Sequence, residues 1–346
     1  MTEEPGRPLR AAVIGLGSMG VNHARVYGEL ETTELAAVCD VDTERLGSAT
    51  RGRSARGYQE YRELLARESL DLLSVAVPTG LHREVALAAI ERGVPLLVEK
   101  PIAAGRSEGE EIARAAREAG VPLMVGHVER FNPAIQELKR RLEGGELGRV
   151  FQMHARRVGP FPKRVRDVGV VLDLAPHDID VMRFLLGSEV ERVHAETERR
   201  INTDQEDMLS GLLRFRNGAV GVLDVNWLTP TKIRQLSVLG ERGMFAVDYL
   251  TQELRFYEND SAGGGWPSLA TLTGVSEGAM VRLKVEKREP LRVELEAFAR
   301  AVMEGSPPPV GAEDALAALE VAEALVRAAQ EGRVVAVRSA AAEGAS

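Results

Sequence analysis

Residues 9–20 read LRAAVIGLGSMG, and residues 35–40 read LAAVCD. The first stretch is an apolar strand that runs into Gly15, Gly17 and Gly20 at G-x-G-x-x-G spacing, followed by a helical pattern over 18–30. Glycine permits the tight turn, and the absence of a side chain lets a pyrophosphate approach the backbone around Ser18 and Met19 at the positive end of the helix. The spacing alone is weak. It gains weight because Asp40 stands twenty residues after Gly20 at the end of the second strand, where a carboxylate can accept from a ribose diol. Asp40 would repel a ribose 2′-phosphate, and no arginine directly follows it, so NAD is favoured over NADP, with Asp42 and Arg45 close by in sequence.

Outward from this pair of strands the rhythm continues. Strands at 71–78, 94–99 and 121–126 alternate with helical patterns at 81–92 and 107–119. Strands separated by helices of this length imply crossovers and a parallel sheet. The fold class expected is α/β, with a doubly wound domain over residues 1–128. Beyond residue 130 the pattern changes. Helices are expected near 133–143 and 176–186, and strand-like runs at 189–199, 207–216, 219–228, 233–240, 243–249 and 253–259 are joined by short turns such as Arg216–Ala219 and Gly240–Gly243. This predicts an α+β domain with a mostly antiparallel sheet over 129–335. A glycine-rich loop is expected at 259–280. Helices at 291–304 and 312–330 are candidates to pack back on the first domain, and 336–346 reads as a tail.

The 346 residues are 44% apolar and 28% charged, which suits two buried cores and excludes a disordered chain. A net charge of −8 argues against nucleic acid or an anionic membrane as a general partner. There is no run of about 18 apolar residues, no signal-peptide pattern at the N-terminus and only one cysteine, Cys39; a cytoplasmic location is expected. The six histidines show no clustered ligand spacing, so no metal is expected.

Three segments carry candidate chemistry. Glu99-Lys100-Pro101 follows a parallel strand, and ligands sit beyond the carboxyl ends of such strands. Only six of the 44 basic residues are lysine, and lysine has a pKa that a pocket can move, which suits Lys100 to a proton relay. In the segment 169–180, Pro176 is read as part of a first helical turn. His177 then lies near a helix N-terminus, with Asp173 or Asp180 to orient its ring. The bland reading of that segment is a set of acids capping a helix. Lastly, 156–166 carries Arg156, Arg157, Lys163, Arg164 and Arg166 without an acid, a basic loop able to hold a diphosphate or simply a solvated charge run. Arg130 and Asn132 are further substrate-side candidates, although Asn132 before Pro133 can instead cap a helix.

Together, the glycine fingerprint, Pro78-Thr79-Gly80-Leu81-His82, Glu99-Lys100-Pro101 and the Asp173, His177, Asp180 segment make the chain resemble the glucose-fructose oxidoreductase, inositol dehydrogenase and rhizopine-catabolism (Gfo/Idh/MocA) family over nearly its whole length. The resemblance implies a Rossmann domain joined to an open antiparallel sheet that packs against a second subunit, giving a homodimer or homotetramer. It implies oxidation of a sugar or cyclitol hydroxyl, with Lys100, Asp173 and His177 at the catalytic positions, His177 as base and Lys100 bonded to the reacting oxygen. Pro78, Thr79, His82 and Glu99 would then lie along the cofactor. Ala175 departs from the glycine common there. That departure, with 125–133 and 156–180, is similar to a narrower group, the UDP-N-acetylglucosamine 3-dehydrogenases, which makes a nucleotide sugar the favoured small-molecule partner. An inositol or free-sugar dehydrogenase and a non-catalytic NAD-binding sensor are the alternatives.

Overall fold

A computed structural model describes residues 7–52, 54–162, 169–201, 204–259 and 277–337. The chain forms two compact units, one of residues up to Val128 together with Glu289–Leu319, the other of Glu129–Arg288 and the residues from Glu320.

The first unit is built on six strands, β1 (Leu9–Ile14), β2 (Thr33–Cys39), β3 (Arg56–Tyr58), β4 (Leu72–Val75), β5 (Leu96–Glu99) and β6 (Leu123–Gly126). All pairings are parallel, in the order β3-β2-β1-β4-β5-β6. Every residue of β4, β5 and β6 is buried, as strands covered on both faces must be. Helices α1 (Gly20–Glu29), α2 (Thr43–Thr50), α3 (Tyr61–Arg67), α4 (His82–Glu91) and α5 (Arg106–Ala119) make the crossovers. Two short elements, β3 and α3, and the helix α2 were not marked by the sequence pattern. Helix α8 (Pro290–Glu304) packs on α1 in this unit, where Arg25 pairs with Glu289 and Arg292 with Glu29. The strand order reverses direction between β1 and β4, the switch point at which a doubly wound sheet leaves a crevice.

The second unit carries a nine-stranded sheet in the order β14-β13-β12-β11-β7-β10-β9-β8-β15. Its members are β7 (Val150–Pro160), β8 (Val190–Glu198), β9 (Met208–Phe215), β10 (Val220–Asn226), β11 (Leu228–Gly240), β12 (Gly243–Asp248), β13 (Glu253–Asn259), β14 (Glu277–Leu283) and β15 (Val335–Ala336). The pair β7–β10 is parallel and the others are antiparallel. Burial alternates along β9, β10 and β12, the sign of a sheet covered on one face. Helix α7 (Val170–Leu186) lies on that face against β7, β9 and β10, and α6 (Pro133–Glu143) packs on α7. Helix α9 (Ala312–Glu331) follows α8.

Three expectations change here. The strand β7 occupies 150–160 at the centre of the sheet, so Arg156 and Arg157 belong to a strand rather than a basic loop. Alternation sends them to opposite faces: Arg157 is buried, whereas Arg156 is exposed and paired with Asp224. Part of the expected 259–280 loop is the strand β14. And α7 begins at Val170, six residues before Pro176, which sits inside the helix. The cause is long-range: the backbone carbonyl of Glu206 accepts from Val170 N at 2.9 Å and its carboxylate from Val171 N at 3.2 Å, capping two donors that would otherwise be orphaned. A Cβ on Gly169 would lie 1.9 Å from that carboxylate, so glycine is required for the cap to close.

Candidate functional site

In the first unit, a cavity of about 450 Å³ opens at the switch point, lined by Gly15, Gly17, Asp40, Val41, Arg45, Glu60, Ala76 and Pro78 among others. The glycines there have separate reasons. Gly15 has φ +91°, and a Cβ on it would sit 2.5 Å from the Ala76 carbonyl; one on Gly20 would lie 1.7 Å from the Gly15 carbonyl. Gly17 meets nothing within 4 Å, so its backbone is open to the crevice, and Ser18 and Met19 form the turn into α1. Asp40 braces the same loop: Oδ2 accepts from Leu16 N at 2.6 Å and Oδ1 from Asp42 N at 2.9 Å. A carboxylate has about four acceptor sites, so capacity for a diol remains. Arg45 lies 3.8 Å from Asp40 and is half-exposed. The residues present therefore fit a dinucleotide, with glycine backbone for the pyrophosphate and Asp40 for the ribose. Cys39, next to Asp40, is buried, and its thiol pKa is pushed up to about 12 by burial and that carboxylate.

Lys100 follows β5 directly and is half-buried. Its backbone N–H donates to Glu99 Oε2 at 3.3 Å, while Glu99 Oε1 meets His23 Nε2 at 2.9 Å. His23 Nδ1 reaches Ser74 Oγ at 2.9 Å, and Tyr27 shares that hydroxyl at 2.9 Å. Glu99 thus faces the core rather than the crevice, and a Cβ on Gly126 of β6 would come within 3.0 Å of its carboxyl. Burial alone would raise the pKa of Glu99; the hydrogen bond and charge of His23, with the charge of Lys100, hold it below the usual carboxylate range. His82 is likewise turned inward: its ring nitrogens face the carbonyls of Pro101 at 2.9 Å and Val77 at 3.0 Å, tying the turns after β5 and β4 together. It is 1% exposed with both nitrogens occupied, so it presents no polar atom to the crevice. Burial lowers its pKa. Pro78 lines the same crevice, and Thr79 follows it on the short turn before α4.

In the second unit, Asp173 and His177 are four residues apart on α7 and so share a face, with Asp173 in the first turn. His177 is two turns into the helix, which removes the expected effect of the helix N-terminus on its ring. Pro176 has no N–H, leaving the Leu172 carbonyl without its helical donor. Ala175 is fully buried. Asp178 and Asp180 are buried and held by arginines through paired bonds. Arg157 Nε and Nη2 donate to Asp178 at 2.7 and 3.1 Å, with Nη1 to Glu129 at 2.9 Å; Arg130 Nε and Nη2 donate to Asp180 at 2.6 Å each. Burial would lower the pKa of Arg157, but the charges of Asp178 and Glu129 raise it instead. Its guanidinium also stacks 5.3 Å from the Tyr249 ring. At 3% exposure Arg157 has no edge for a diphosphate, and Arg130, 6% exposed, is similarly engaged. Asn132 takes the capping role: Oδ1 accepts from Ala134 N at 3.1 Å and Nδ2 donates to the Tyr249 carbonyl at 3.1 Å. All three side chains are thus engaged by partners within the protein. Lys163, Arg164 and Arg166 lie outside the described residues. Among the described residues no group of three or more His, Cys, Asp or Glu is placed to hold a metal, and no helix is long and apolar enough to cross a membrane.

Sequence reading passed over Arg234, on β11 beside Arg157. It also passed over Glu129 and Glu206. No local pattern marks any of the three; only strand register and a contact from a distant loop reveal them.

One unit carries a crevice that fits a dinucleotide and the other an Asp/His helix on its covered sheet, and comparison with known proteins places the chain among oxidoreductases. The family model described as an oxidoreductase family, NAD-binding Rossmann fold, matches residues 9–127, and the GFO/IDH/MocA C-terminal domain matches 135–246. The chain is 30% identical over 294 residues to UDP-N-acetylglucosamine 3-dehydrogenase of Acidithiobacillus ferrooxidans, covering 85% of this chain and 88% of that one. It is 27% identical over 341 residues to the myo-inositol 2-dehydrogenase of Thermotoga maritima, covering 94% and 98%. The solved structure of the Acidithiobacillus enzyme superposes with a TM-score of 0.83 over 94% of this chain and 99% of that one, at 28% identity. The chain belongs to the GFO/IDH/MocA oxidoreductase family.

Proposed function

We propose that this protein is an NAD-dependent dehydrogenase that oxidises a secondary hydroxyl of a sugar, with C3 of a UDP-linked amino sugar as the favoured position. The observation that carries the reading is Lys100, placed directly beyond β5 with its backbone held by the Glu99 carboxylate that His23 anchors. NAD, when bound, supplies the hydride acceptor. Lys100 donates to the reacting oxygen and His177 takes its proton. Asp180 is engaged by Arg130, which favours Asp173, one turn before His177 on the same helix face, as the acid that orients the ring. Asp40, with Glu60 and Glu84 in the lining of the cavity, favours NAD over NADP, since each would repel a 2′-phosphate. The nucleotide-sugar substrate is supported by the similarity to the Acidithiobacillus enzyme and by Lys163, Arg164 and Arg166 in the sequence. A neutral cyclitol is the second reading, favoured by the engagement of Arg130 and Arg157 with carboxylates and by the myo-inositol 2-dehydrogenase similarity. We read the uncovered sheet face, where His154, Arg156, Gln235 and Ser237 line a hollow of about 550 Å³, as the face that meets a second copy.

The test is single-turnover NADH absorbance, with enzyme and NAD in excess over UDP-N-acetylglucosamine and, in parallel, over myo-inositol. A signal from the nucleotide sugar alone supports the first reading, and from inositol alone the second. Silence with both returns the sensor alternative. Lys100→Ala and His177→Ala should each cut turnover by about 100- to 10,000-fold, with NAD affinity near that of the wild type; unchanged turnover in both removes the assignment.

A further inference from the structure

Three arginines of the second unit stand near its buried acids, and two of them use the same edge in the same way. Arg157 and Arg130 each present Nε and Nη2 to both oxygens of a buried aspartate. The third, Arg234, is paired in register with Arg157 across β11 and β7. It shares the parity of the buried residues Leu236 and Val238, so it stands on the sheet face that α7 covers. Its Nη1 is fixed by two backbone carbonyls, Val158 at 2.6 Å and Ile233 at 2.8 Å. Among the described residues its Nε and Nη2 have no hydrogen-bond partner, and no carboxylate lies within 4 Å of it. Charges that act on it from its surroundings are Arg157, Asp178, Glu129 and Asp173, of which Asp178 and Glu129 are already bound to Arg157. Burial and the charge of Arg157 pull the pKa of Arg234 down to about 10, the mark of a cation placed without its counter-charge.

We propose that Arg234 is an anion anchor of the substrate site, its Nε and Nη2 edge taking two oxygens of a phosphate group. A guanidinium held by its third nitrogen is rotationally locked, so its fork is set for a bidentate oxygen pair before the ligand arrives. Arg234 stands on the sheet face that α7 covers, and α7 carries Asp173 and His177, so the anchored group belongs to a ligand whose other end meets those two residues. This deepens the nucleotide-sugar reading and rests on the second unit being the substrate unit.

Isothermal titration of the full chain with UDP, inorganic diphosphate and NAD tests it, using wild type, Arg234→Gln and Arg234→Lys. Arg234→Gln should weaken UDP binding by at least about tenfold at low salt, and Arg234→Lys should recover part of the loss by keeping the charge without the fork. Unchanged NAD affinity and thermal midpoint report that the variants fold. UDP bound equally by wild type and Arg234→Gln overturns the anchor while keeping the nucleotide ligand. Diphosphate bound in an Arg234-dependent way, with no binding of UDP, keeps the anchor and overturns the nucleotide reading. No binding of either anion by the wild type overturns both.

Discussion

The two units bury carboxylates by opposite means. In the first, Glu99 is held by His23 through one bond of 2.9 Å, with Ser74 and Tyr27 behind it. In the second, Asp178 and Asp180 are each gripped at both oxygens by an arginine. An imidazole meets a carboxylate through a single nitrogen, whereas a guanidinium fork spans both of its oxygens. The lesson is that the first unit ties its buried carboxylate into a chain of single hydrogen bonds, and the second clamps each of its buried aspartates with a fork.

The largest blow to this contrast should come from Arg157→Met, which leaves buried Asp178 and half-buried Glu129 without their cation. Urea unfolding should show a loss of about 3–5 kcal/mol, most of it regained when Asp178→Leu is added. A loss under 1 kcal/mol would mean that the arginine grip is not what holds that core. Next, Glu99→Gln should cost roughly 1–3 kcal/mol at neutral pH and change the acid limb. The folded pKa of Glu99 is depressed, so its contribution is present above the unfolded value of about 4.3 and is lost as pH falls through the folded value. The wild type should therefore lose stability faster than the variant below about pH 4; parallel acid limbs would refute the linkage.

His82 sharpens the comparison further. Its folded pKa is depressed by burial, so its neutral form stabilises the fold above about pH 6.5, and that contribution drains away as pH falls toward the folded value. The slope contributed is at most about 1.4 kcal/mol per pH unit. Melting curves from pH 7.5 to 5.5 should be flatter for His82→Asn than for wild type. The smallest effect belongs to Tyr249→Phe. The Tyr249 hydroxyl is buried with no hydrogen-bond partner among the described residues, so removing it should change stability by less than about 1 kcal/mol, in the favourable direction. A clear loss in chemical denaturation would show that the hydroxyl does have a partner.

The two units also differ in how plainly they were written. Parallel strands buried on both faces are continuous apolar runs, and Lys100 and Asp40 stand at strand ends, where position alone gives them meaning. In the second unit, the placement of the candidate residues is set by distant partners. Pro176 suggested a helix start that Glu206 places six residues earlier. Arg156 and Arg157 looked alike in sequence, but strand alternation puts one in the core and the other at the surface. Charge in a sequence does not say which opposite charge will claim it, so Arg130 and Arg157 could not be told apart from ligand-binding arginines, nor could Arg234 be noticed at all.

Cys39 bears on how such questions can be pursued. It is the only thiol in the chain, it is buried, and its ionisation is suppressed up to about 12. Thiol reagents act on the thiolate, so at neutral pH this side chain stays silent. The native protein is thus a blank background for spin or fluorescent labels, and cysteines introduced on exposed positions of each unit would report inter-unit distances without any need to remove a native one.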